Sequence, residues 1–233
     1  MLEQLADRVV RSALNPARWQ LMAALAEDDP AGVYHYVMNG NSLDFTVPVR
    51  ENGTQITLHL FEYALTQPAN RCLTAWLRDC YVPPHQEYQH LPLLVWAARF
   101  QRVDLVQQLL EAGADCRQYD STGKRLTPIM HAARGSHVGV MATLLDDETA
   151  VVEQTDADGN TALCHASDKL QYSEDDKEII RMLLAKGANR YHKNRLGDTP
   201  AAMMEREANF DPEVFLAMQQ QLDRSPAFID LER

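Results

Sequence analysis

The sequence lacks a surplus of basic residues, and it lacks any long apolar run. Its 233 residues include 22 Lys and Arg against 33 Asp and Glu, which gives a formal net charge of −11 at pH 7. Binding to a nucleic-acid backbone or to an anionic membrane favours basic residues, so we expect neither partner. A bilayer-crossing helix needs roughly 20 apolar residues, whereas the longest apolar run, residues 91–98, contains Pro92. We therefore expect no membrane insertion.

Cysteine is scarce and shows no paired spacing, which bears on the compartment. The four cysteines form no C-x-x-C pair (Cys72, Cys80, Cys116 and Cys164). Reduced thiols in the cytoplasm are the expectation, although a bacterial export route without a leader would leave the same signature. Acids at Glu3 and Asp7 speak against a secretory leader. We expect Cys116 to be partly exposed and the other three thiols to lie in the core.

An internal repeat dominates what the sequence does contain. Alanines at 97, 132 and 166 are 35 and 34 residues apart, and each is followed about 12 residues later by paired aliphatic residues. Two of these units end in Gly-Ala-Asp or Gly-Ala-Asn. The motifs that recur in register are Thr-Pro-Ile-Met-His-Ala-Ala at 127–133, Thr-Ala-Leu-Cys-His-Ala at 161–166, Gly-Asp-Thr-Pro-Ala-Ala at 197–202, Gly-Ala-Asp at 113–115 and Gly-Ala-Asn at 187–189.

This pattern resembles the ankyrin repeat, in which G-x-T-P-L-H-x-A-A opens a unit. The resemblance implies an all-α solenoid of about six helix–turn–helix units with short β-hairpin connections and capping helices. We expect the Thr to cap the first helix of a unit and Gly113 and Gly187 to end the second helix with a positive φ. The expected organisation is an N-terminal capping helix at 1–16, two divergent units at 17–90, three repeats at 91–196, a C-terminal capping repeat at 197–224 and a tail at 225–233.

The first half departs most from the pattern. Residues 53–59 resemble a degraded helix-start motif, and Ala64 keeps the period. Apolar residues alternate with other residues in 41–57, which predicts an extended hairpin there. An apolar stripe over residues 2–14 predicts the capping helix, with an amphipathic partner-binding helix as the alternative. Residues 212–222 are expected to close the other end.

Residue patterns for chemistry are largely missing. Cys164 and His165 form the best reactive pair, but neighbours on a helix point about 100° apart and cannot meet. The eight histidines show no metal-ligand spacing, and no phosphate loop is present. We expect no catalytic residue, no metal and no cofactor, so the chain is not expected to be an enzyme. A concealed thiol site near Cys164 stays open as an alternative. Acids at 146–148 and 174–178 are expected on the outer face.

In the ankyrin family the binding surface is concave and combines hairpin tips with the exposed side of the inner helices. The resemblance implies that the position after the paired alanines faces this groove. Arg and Tyr are also enriched in binding hot spots, although long side chains there could simply be solvated. The expected partner-binding residues are Arg99, Phe100, Tyr119, Lys124, Arg125, Arg134, Asp168, Tyr172, Tyr191, His192, Lys193 and Arg195, with Gln118, Gln154, Asp156 and Arg206 at equivalent positions.

The resemblance therefore implies a non-catalytic module that binds another protein and is itself a monomer. The uneven units suggest a stand-alone bacterial protein. An inhibitor or immunity-type protein that blocks a toxin is the first interpretation. A secreted effector that engages a host protein is the alternative.

Overall fold

The computed structural model describes residues 15–41, 46–51, 54–66, 70–79, 87–88, 91–169 and 172–206. The chain divides into two compact units, Met1–Asp115 and Cys116–Arg233. The expected capping helix at 2–14, the closing helix at 212–222, the tail and Cys80 lie outside the described residues. No helix in the described part is long and apolar enough to cross a membrane.

The described part of the first unit contains six helices and two antiparallel strand pairs, β1 with β2 and β3 with β4. The elements in chain order are α1 (Pro16–Glu27), α2 (Pro30–Met38), β1 (Thr46–Glu51), β2 (Thr54–His59), α3 (Leu60–Thr66), α4 (Asn70–Asp79), β3 (Glu87–Tyr88), β4 (Leu91–Pro92), α5 (Leu93–Arg99) and α6 (Val103–Glu111).

The described part of the second unit contains five helices and no strand. They are α7 (Pro128–Gly135), α8 (Val138–Asp146), α9 (Ala162–Ser167), α10 (Glu174–Ala185) and α11 (Pro200–Arg206). Helices α7, α9 and α11 follow one another in contact, and α8 and α10 pack behind α7 and α9. This alternation of inner and outer helices confirms the all-α solenoid expected from the repeat.

The inner helices begin in one register. Each of α3, α5, α7 and α9 starts four residues before a fully buried alanine, at Ala64, Ala97, Ala132 and Ala166. In α11 the corresponding buried residue is Met204. An alanine side chain ends at Cβ, so neighbouring helices can approach closely at this level. The period read from the alanines is therefore also the period of the helices.

Threonine side chains cap the inner helices α7 and α9, as the sequence suggested. The Thr127 hydroxyl accepts from the Met130 N–H at 3.4 Å, and Pro128 fills the first helical position of α7. Thr161 caps α9 in the same way through the Cys164 N–H at 3.4 Å. These caps satisfy amide groups that the first helical turn leaves without a partner. At the other end of the outer helices, Gly113 and Gly187 have φ values of +90° and +87°.

The hairpin expected in 41–57 is confirmed in part, and the helix-start motif expected at 53–59 is wrong. Val47 and Val49 are buried on β1 and pair with Leu58 and Ile56 of β2. The segment 54–59 is therefore a strand, and helix α3 begins only at Leu60. Alternating β-branched residues match the pleat of the hairpin, whereas the register of Ala64 already sets the helix start after this segment.

The exposure expected for Cys116 is also wrong, because this side chain is 0% exposed. After the Gly113 turn, Ala114 and Cys116 are both buried while Asp115 between them is half-buried, so the thiol packs into the core and not on the open side of the turn. Cys72 and Cys164 are buried as expected. Burial, together with the Asp28 carboxylate, raises the pKa of the Cys72 thiol to about 12. Burial also raises the pKa of Cys164.

Ser167 replaces the second alanine of the paired-alanine position and generates a stability prediction. It is fully buried, and its hydroxyl oxygen has no hydrogen-bond partner among the described residues. We expect Ser167→Ala to raise the free energy of unfolding by about 1 kcal/mol, because a buried hydroxyl without a partner costs about that much. Urea unfolding at constant pH measures this.

Thr161→Ala in the same helix is the matched control. It also removes one buried hydroxyl, but one that caps α9, and it should lower the free energy of unfolding by about 1 kcal/mol. A loss of stability in Ser167→Ala would contradict the assignment.

Candidate partner-binding surface

Three hairpin-shaped loops of the second unit lead into its inner helices α7, α9 and α11, and these loops carry the candidate site. We call them finger 1 (residues 117–126), finger 2 (residues 153–160) and finger 3 (residues 190–198). Each finger contains a buried polar residue at the corresponding position, which is Asp120, Asp156 and Asn194 in turn, and Asp198 at the end of finger 3 is also buried. The three corresponding side chains determine how the fingers fold.

In finger 1 the Asp120 carboxylate closes the hairpin from inside. Its Oδ1 accepts from the Leu126 N–H at 3.1 Å and from the Thr122 hydroxyl at 2.6 Å. The Asp120 N–H in turn donates to the Leu126 carbonyl at 2.9 Å. The carboxylate thus replaces water as the partner of groups inside the turn, which offsets the cost of its own burial.

Fingers 2 and 3 repeat this geometry. Asp156 Oδ1 accepts from the N–H groups of Asp158 and Asn160, both at 2.8 Å. In finger 3 the amide oxygen of Asn194 accepts from the Leu196 N–H at 3.0 Å and from the N–H two residues later at 2.9 Å. An amide oxygen therefore performs the same structural task as a carboxylate.

The second carboxylate oxygen ties fingers 1 and 2 to their inner helices. Asp120 Oδ2 lies 3.0 Å from His131 Nε2 of α7, and Asp156 Oδ2 lies 2.9 Å from His165 Nε2 of α9. Finger 3 has no such pair, because its inner helix carries Met203 at the corresponding position. There the Asn194 amide donates to the Asn160 side chain at 2.9 Å. A carboxylate is present in the fingers whose helix supplies a histidine.

These contacts shift two pKa values. Burial by itself would raise the pKa of the Asp120 carboxyl, but hydrogen bonds from Thr122, His131 and the Leu126 backbone outweigh it, so the pKa is lowered. Burial lowers the pKa of the His165 imidazole, and the nearby Arg134 charge acts in the same direction, against the opposing effect of Asp156. His165 therefore resists protonation in the folded state.

Backbone hydrogen bonds join the three fingers at their tips. The Ala157 N–H donates to the Lys124 carbonyl at 2.8 Å, and the Arg195 N–H donates to the Asp158 carbonyl at 3.0 Å. The His192 ring also hydrogen-bonds the Gly159 carbonyl at 2.7 Å. We call this continuous set of fingers 1–3 the finger ladder. Its tips are fixed relative to one another before any partner arrives.

The exposed side chains of the finger ladder are mainly basic. Leu196 is 83% exposed at the tip of finger 3, and Tyr191 in the same finger is 58% exposed. The Arg125 guanidinium lies over the Tyr119 ring, 4.6 Å from its centroid. The exposed charged residues of the finger ladder are five basic ones, Arg117, Lys124, Arg125, Lys193 and Arg195, and two acidic ones, Glu153 and Asp158.

A row of polar residues on the inner helices continues the surface. Arg134 lies one turn after His131 on α7, and Asp168 lies one turn after His165 at the end of α9, so each pair shares a helix face. Both Arg134 and Asp168 are exposed. The structure therefore places Arg134 and Asp168 on the helix faces whose histidines hold the fingers.

The other predicted site residues are placed differently. Arg99 and Phe100 belong to the first unit, where the Arg99 guanidinium lies over the Trp96 ring at 5.7 Å and the Phe100 ring is 5.8 Å from the same ring. The structure describes the backbone of Arg206 in α11. The remaining residues from the predicted list that lie in the finger ladder are Tyr119, Lys124, Arg125, Tyr191, His192, Lys193 and Arg195.

Some residues expected to contact a partner are engaged within the chain. The Tyr172 hydroxyl donates to the Ser167 carbonyl, and His192 is held on Gly159. Both side chains are half-buried. Asp156, expected in the groove, is buried inside finger 2. Their polar groups complete the local fold, so they are not free to lead recognition.

The outer-face position expected for residues 174–178 is wrong for Asp176, which is buried. Its Oδ2 accepts from the Ser173 N–H at 2.9 Å in a capping box, and its Oδ1 accepts from the Ser136 hydroxyl. Lys169 completes the cluster, 3.5 Å from Asp176 and 2.6 Å from the Arg134 carbonyl. These hydrogen bonds outweigh burial and lower the pKa of Asp176. The Ser-x-x-Asp spacing was a visible signal for this cap.

Asp120, Asn194 and Leu196 were missed as site-forming residues. The first two had a signal, because a polar residue precedes the buried alanine or methionine by 10 to 12 positions in three successive units. Leu196 had only its place beside a turn glycine. Among the described residues, no group of three or more His, Cys, Asp or Glu could hold a metal ion.

Comparisons with known proteins agree with this architecture. A family model described as ankyrin repeats, in three copies, matches residues 94–200. The ankyrin repeat protein FPV031 of fowlpox virus (strain NVSL) is 30% identical over 108 residues, which is 46% of this chain. The match spans 30% of the viral protein's length. The crystal structure of the ankyrin repeat protein EF0377 shares the fold at a TM-score of 0.63 and 16% identity, covering 88% of this chain and 96% of that one.

The finger contact at Gly159 generates a stability prediction. Gly159 has a φ of +79°, and a Cβ there would lie 3.0 Å from the Arg195 backbone nitrogen. Gly197 has a φ of +86° with open space around it. We expect Gly197→Ala to cost about 1 kcal/mol for the backbone conformation alone, and Gly159→Ala to cost about 1 kcal/mol more because of the clash. If chemical unfolding showed that both variants lose the same free energy of unfolding, that result would contradict the contact between fingers 2 and 3.

The His165 environment predicts how stability depends on pH. The folded state holds the His165 pKa below its ordinary value of 6.5, so the unfolded chain takes up the proton first. The free energy of unfolding should therefore fall as the pH drops from 7.5 to 5.5. His165→Gln keeps a hydrogen-bond donor but does not titrate, so its loss over this range should be smaller. Parallel urea titrations of both proteins would contradict the prediction if the two losses were equal.

Proposed function

Because the chain belongs to the ankyrin-repeat family, we propose that it is a non-catalytic protein-binding module whose partner occupies the finger ladder and the adjoining faces of α7 and α9. Ankyrin repeats indicate protein–protein interaction in general. The finer assignment, to this surface of this chain, rests on the geometry of residues 117–198.

The observation that carries the proposal is the preformed finger ladder. Its tips are joined through Lys124, Ala157, Asp158 and Arg195, and each finger is closed from inside by a buried acceptor. A partner therefore has little backbone to order on binding, which lowers the entropy cost of association. Exposed Arg and Tyr side chains on such a support are the residue types that dominate binding energy in interfaces.

The charge distribution supports the same surface. The chain as a whole carries a net charge of −11, yet five of the seven exposed charged residues in the finger ladder are basic. Several exposed acids of the second unit lie on the outer helices, and of these Asp146 and Glu174 are both more than four-fifths exposed. A surface whose charge opposes that of the rest of the molecule attracts and orients a complementary partner.

We infer that the module acts as an inhibitor, an immunity-type protein that covers a toxin or an enzyme in the cytoplasm. A rigid surface can block a partner without chemistry of its own. The described cysteines, Cys72, Cys116 and Cys164, form no disulfide, which supports a reducing compartment. The raised pKa values of Cys72 and Cys164 leave little thiolate at neutral pH, which weakens the thiol-enzyme alternative.

Quantitative affinity capture from the source cells tests the proposal. The bait variant Arg134→Glu/Tyr191→Ala changes two exposed side chains of the proposed surface. We expect the main partner to be recovered at about one-tenth of the wild-type level or less, since hot-spot losses exceed about 1.4 kcal/mol. The melting temperature should not change.

Arg181→Glu is the control, because Arg181 is exposed on α10, outside the finger ladder, where it pairs with Glu178 at 3.1 Å. It should capture the partner at the wild-type level. The proposal fails if the surface variant retains the partner, or if the control loses it equally.

A further inference from the structure

At the tips of the finger ladder, one acidic residue lies between two basic residues. Lys124 is bonded through its carbonyl to Ala157, and Asp158 is bonded through its carbonyl to Arg195. Backbones paired in this way lie about 5 Å apart, and consecutive Cα atoms are about 3.8 Å apart. The Lys124 and Arg195 backbones are therefore about 10–14 Å apart, with Asp158 between them.

We propose that this surface binds an extended acidic segment of the partner protein, which presents two carboxylates four residues apart and therefore on one face of the segment. An extended chain advances about 3.3 Å per residue, so that spacing covers the distance from Lys124 to Arg195. In the partner's segment, the residue that faces Asp158 is not acidic. An apolar side chain next to one of the segment's two carboxylates packs on Leu196. This inference rests on the proposed function and specifies the partner's chemistry.

Three basic side chains at the finger tips form no ion pair in the described part of the chain. They are those of Lys124, Lys193 and Arg195, and all three are exposed. Elsewhere in the same unit, four basic side chains lie within 4.0 Å of carboxylates, namely those of Lys169, Lys177, Arg181 and Lys186, while Arg134 on α7 is exposed. The finger ladder thus presents positive charge that no carboxylate of the described residues pairs with, and a partner that carries carboxylates would pair with it.

Leu196 supplies the apolar part of the proposed contact. It is 83% exposed, and its N–H is held by the Asn194 side chain at 3.0 Å, so the exposed leucine sits on an ordered tip. Tyr191 on the same finger is also exposed. Apolar side chains exposed beside unmatched cations favour a ligand that carries both acidic and apolar residues.

Asp158 gives the site its selectivity. It is exposed between the two cations, so a carboxylate placed opposite it would be repelled. A nucleic-acid strand carries a phosphate at every nucleotide and cannot leave out the middle charge. The acids at Asp158 and Glu153 therefore favour a polypeptide over a nucleic acid.

Fluorescence anisotropy with synthetic 12-residue peptides tests the proposal on the full chain. The spaced probe has two Glu four residues apart with Phe beside one of them, made in both orders because the direction of binding is not assumed. The clustered probe has the same composition with the two Glu adjacent. The third probe adds a Glu midway between the spaced pair.

We expect the wild type to bind the better of the two spaced probes at least about fivefold more tightly than the clustered probe. Lys124→Glu and Arg195→Glu should each weaken that binding about tenfold, and Leu196→Ser should weaken it about threefold. Asp158→Asn should abolish the discrimination against the third probe. The matched control Arg181→Glu makes the same charge change outside the finger ladder and should bind like the wild type.

Equal binding of spaced and clustered probes would overturn the proposal, as would equal weakening by Arg181→Glu or tighter binding of an oligouridine of similar length. Circular dichroism and melting curves confirm that each variant is folded. A captured partner that depends on Arg134 and Tyr191 but is not displaced by excess spaced probe would leave the proposed function standing and refute this inference. Absence of any surface-dependent partner would refute the proposed function instead.

Discussion

The second unit depends on one recurring interaction, the buried acceptor at the base of each finger. Asp120, Asp156 and Asn194 are buried, and each accepts backbone N–H groups from its own hairpin. A carboxylate buried without such donors would be strongly destabilising. Because these donors come from the turn itself, folding of the hairpin also supplies the hydrogen bonds that the buried acceptor needs.

Two further sets of hydrogen bonds connect the buried acceptors to the exposed surface of the finger ladder. The second carboxylate oxygens of fingers 1 and 2 bind histidines of the inner helices, which aligns each finger with its helix. Backbone bonds at Lys124 and Arg195 then link adjacent tips. The buried carboxylates accept hydrogen bonds of the fold, while the exposed side chains of Lys124, Lys193 and Arg195 form no ion pair with the described residues. The net charge of the whole chain therefore does not describe the finger ladder, whose exposed charged residues are mainly basic.

Much of the fold could be predicted because alanine spacing and threonine caps are local signals. The alanine register gives the starts of the inner helices, and Thr127 and Thr161 cap as their position suggests. The prediction of a helix start at residues 53–59 was wrong because Thr-Leu-His fits both a helix start and a strand. Pairing with β1 determines that this segment is a strand. The burial of Cys116, Asp176 and Tyr172 could not be predicted in this way. It depends on the direction in which a single side chain points after a turn or an insertion. The linking of fingers needs contacts more than 30 residues apart, which repeat spacing alone does not contain.

Native-state amide hydrogen exchange of the second unit tests the central claim, that buried acceptors hold the fingers in a preformed surface. The informative amides are those of Leu126, Asn160 and Asp198, which donate to Asp120, Asp156 and Asn194. We expect them to exchange nearly as slowly as buried helical amides such as that of Leu144. Exchange at the rate of an unstructured loop would mean that the fingers open readily, and it would contradict the account.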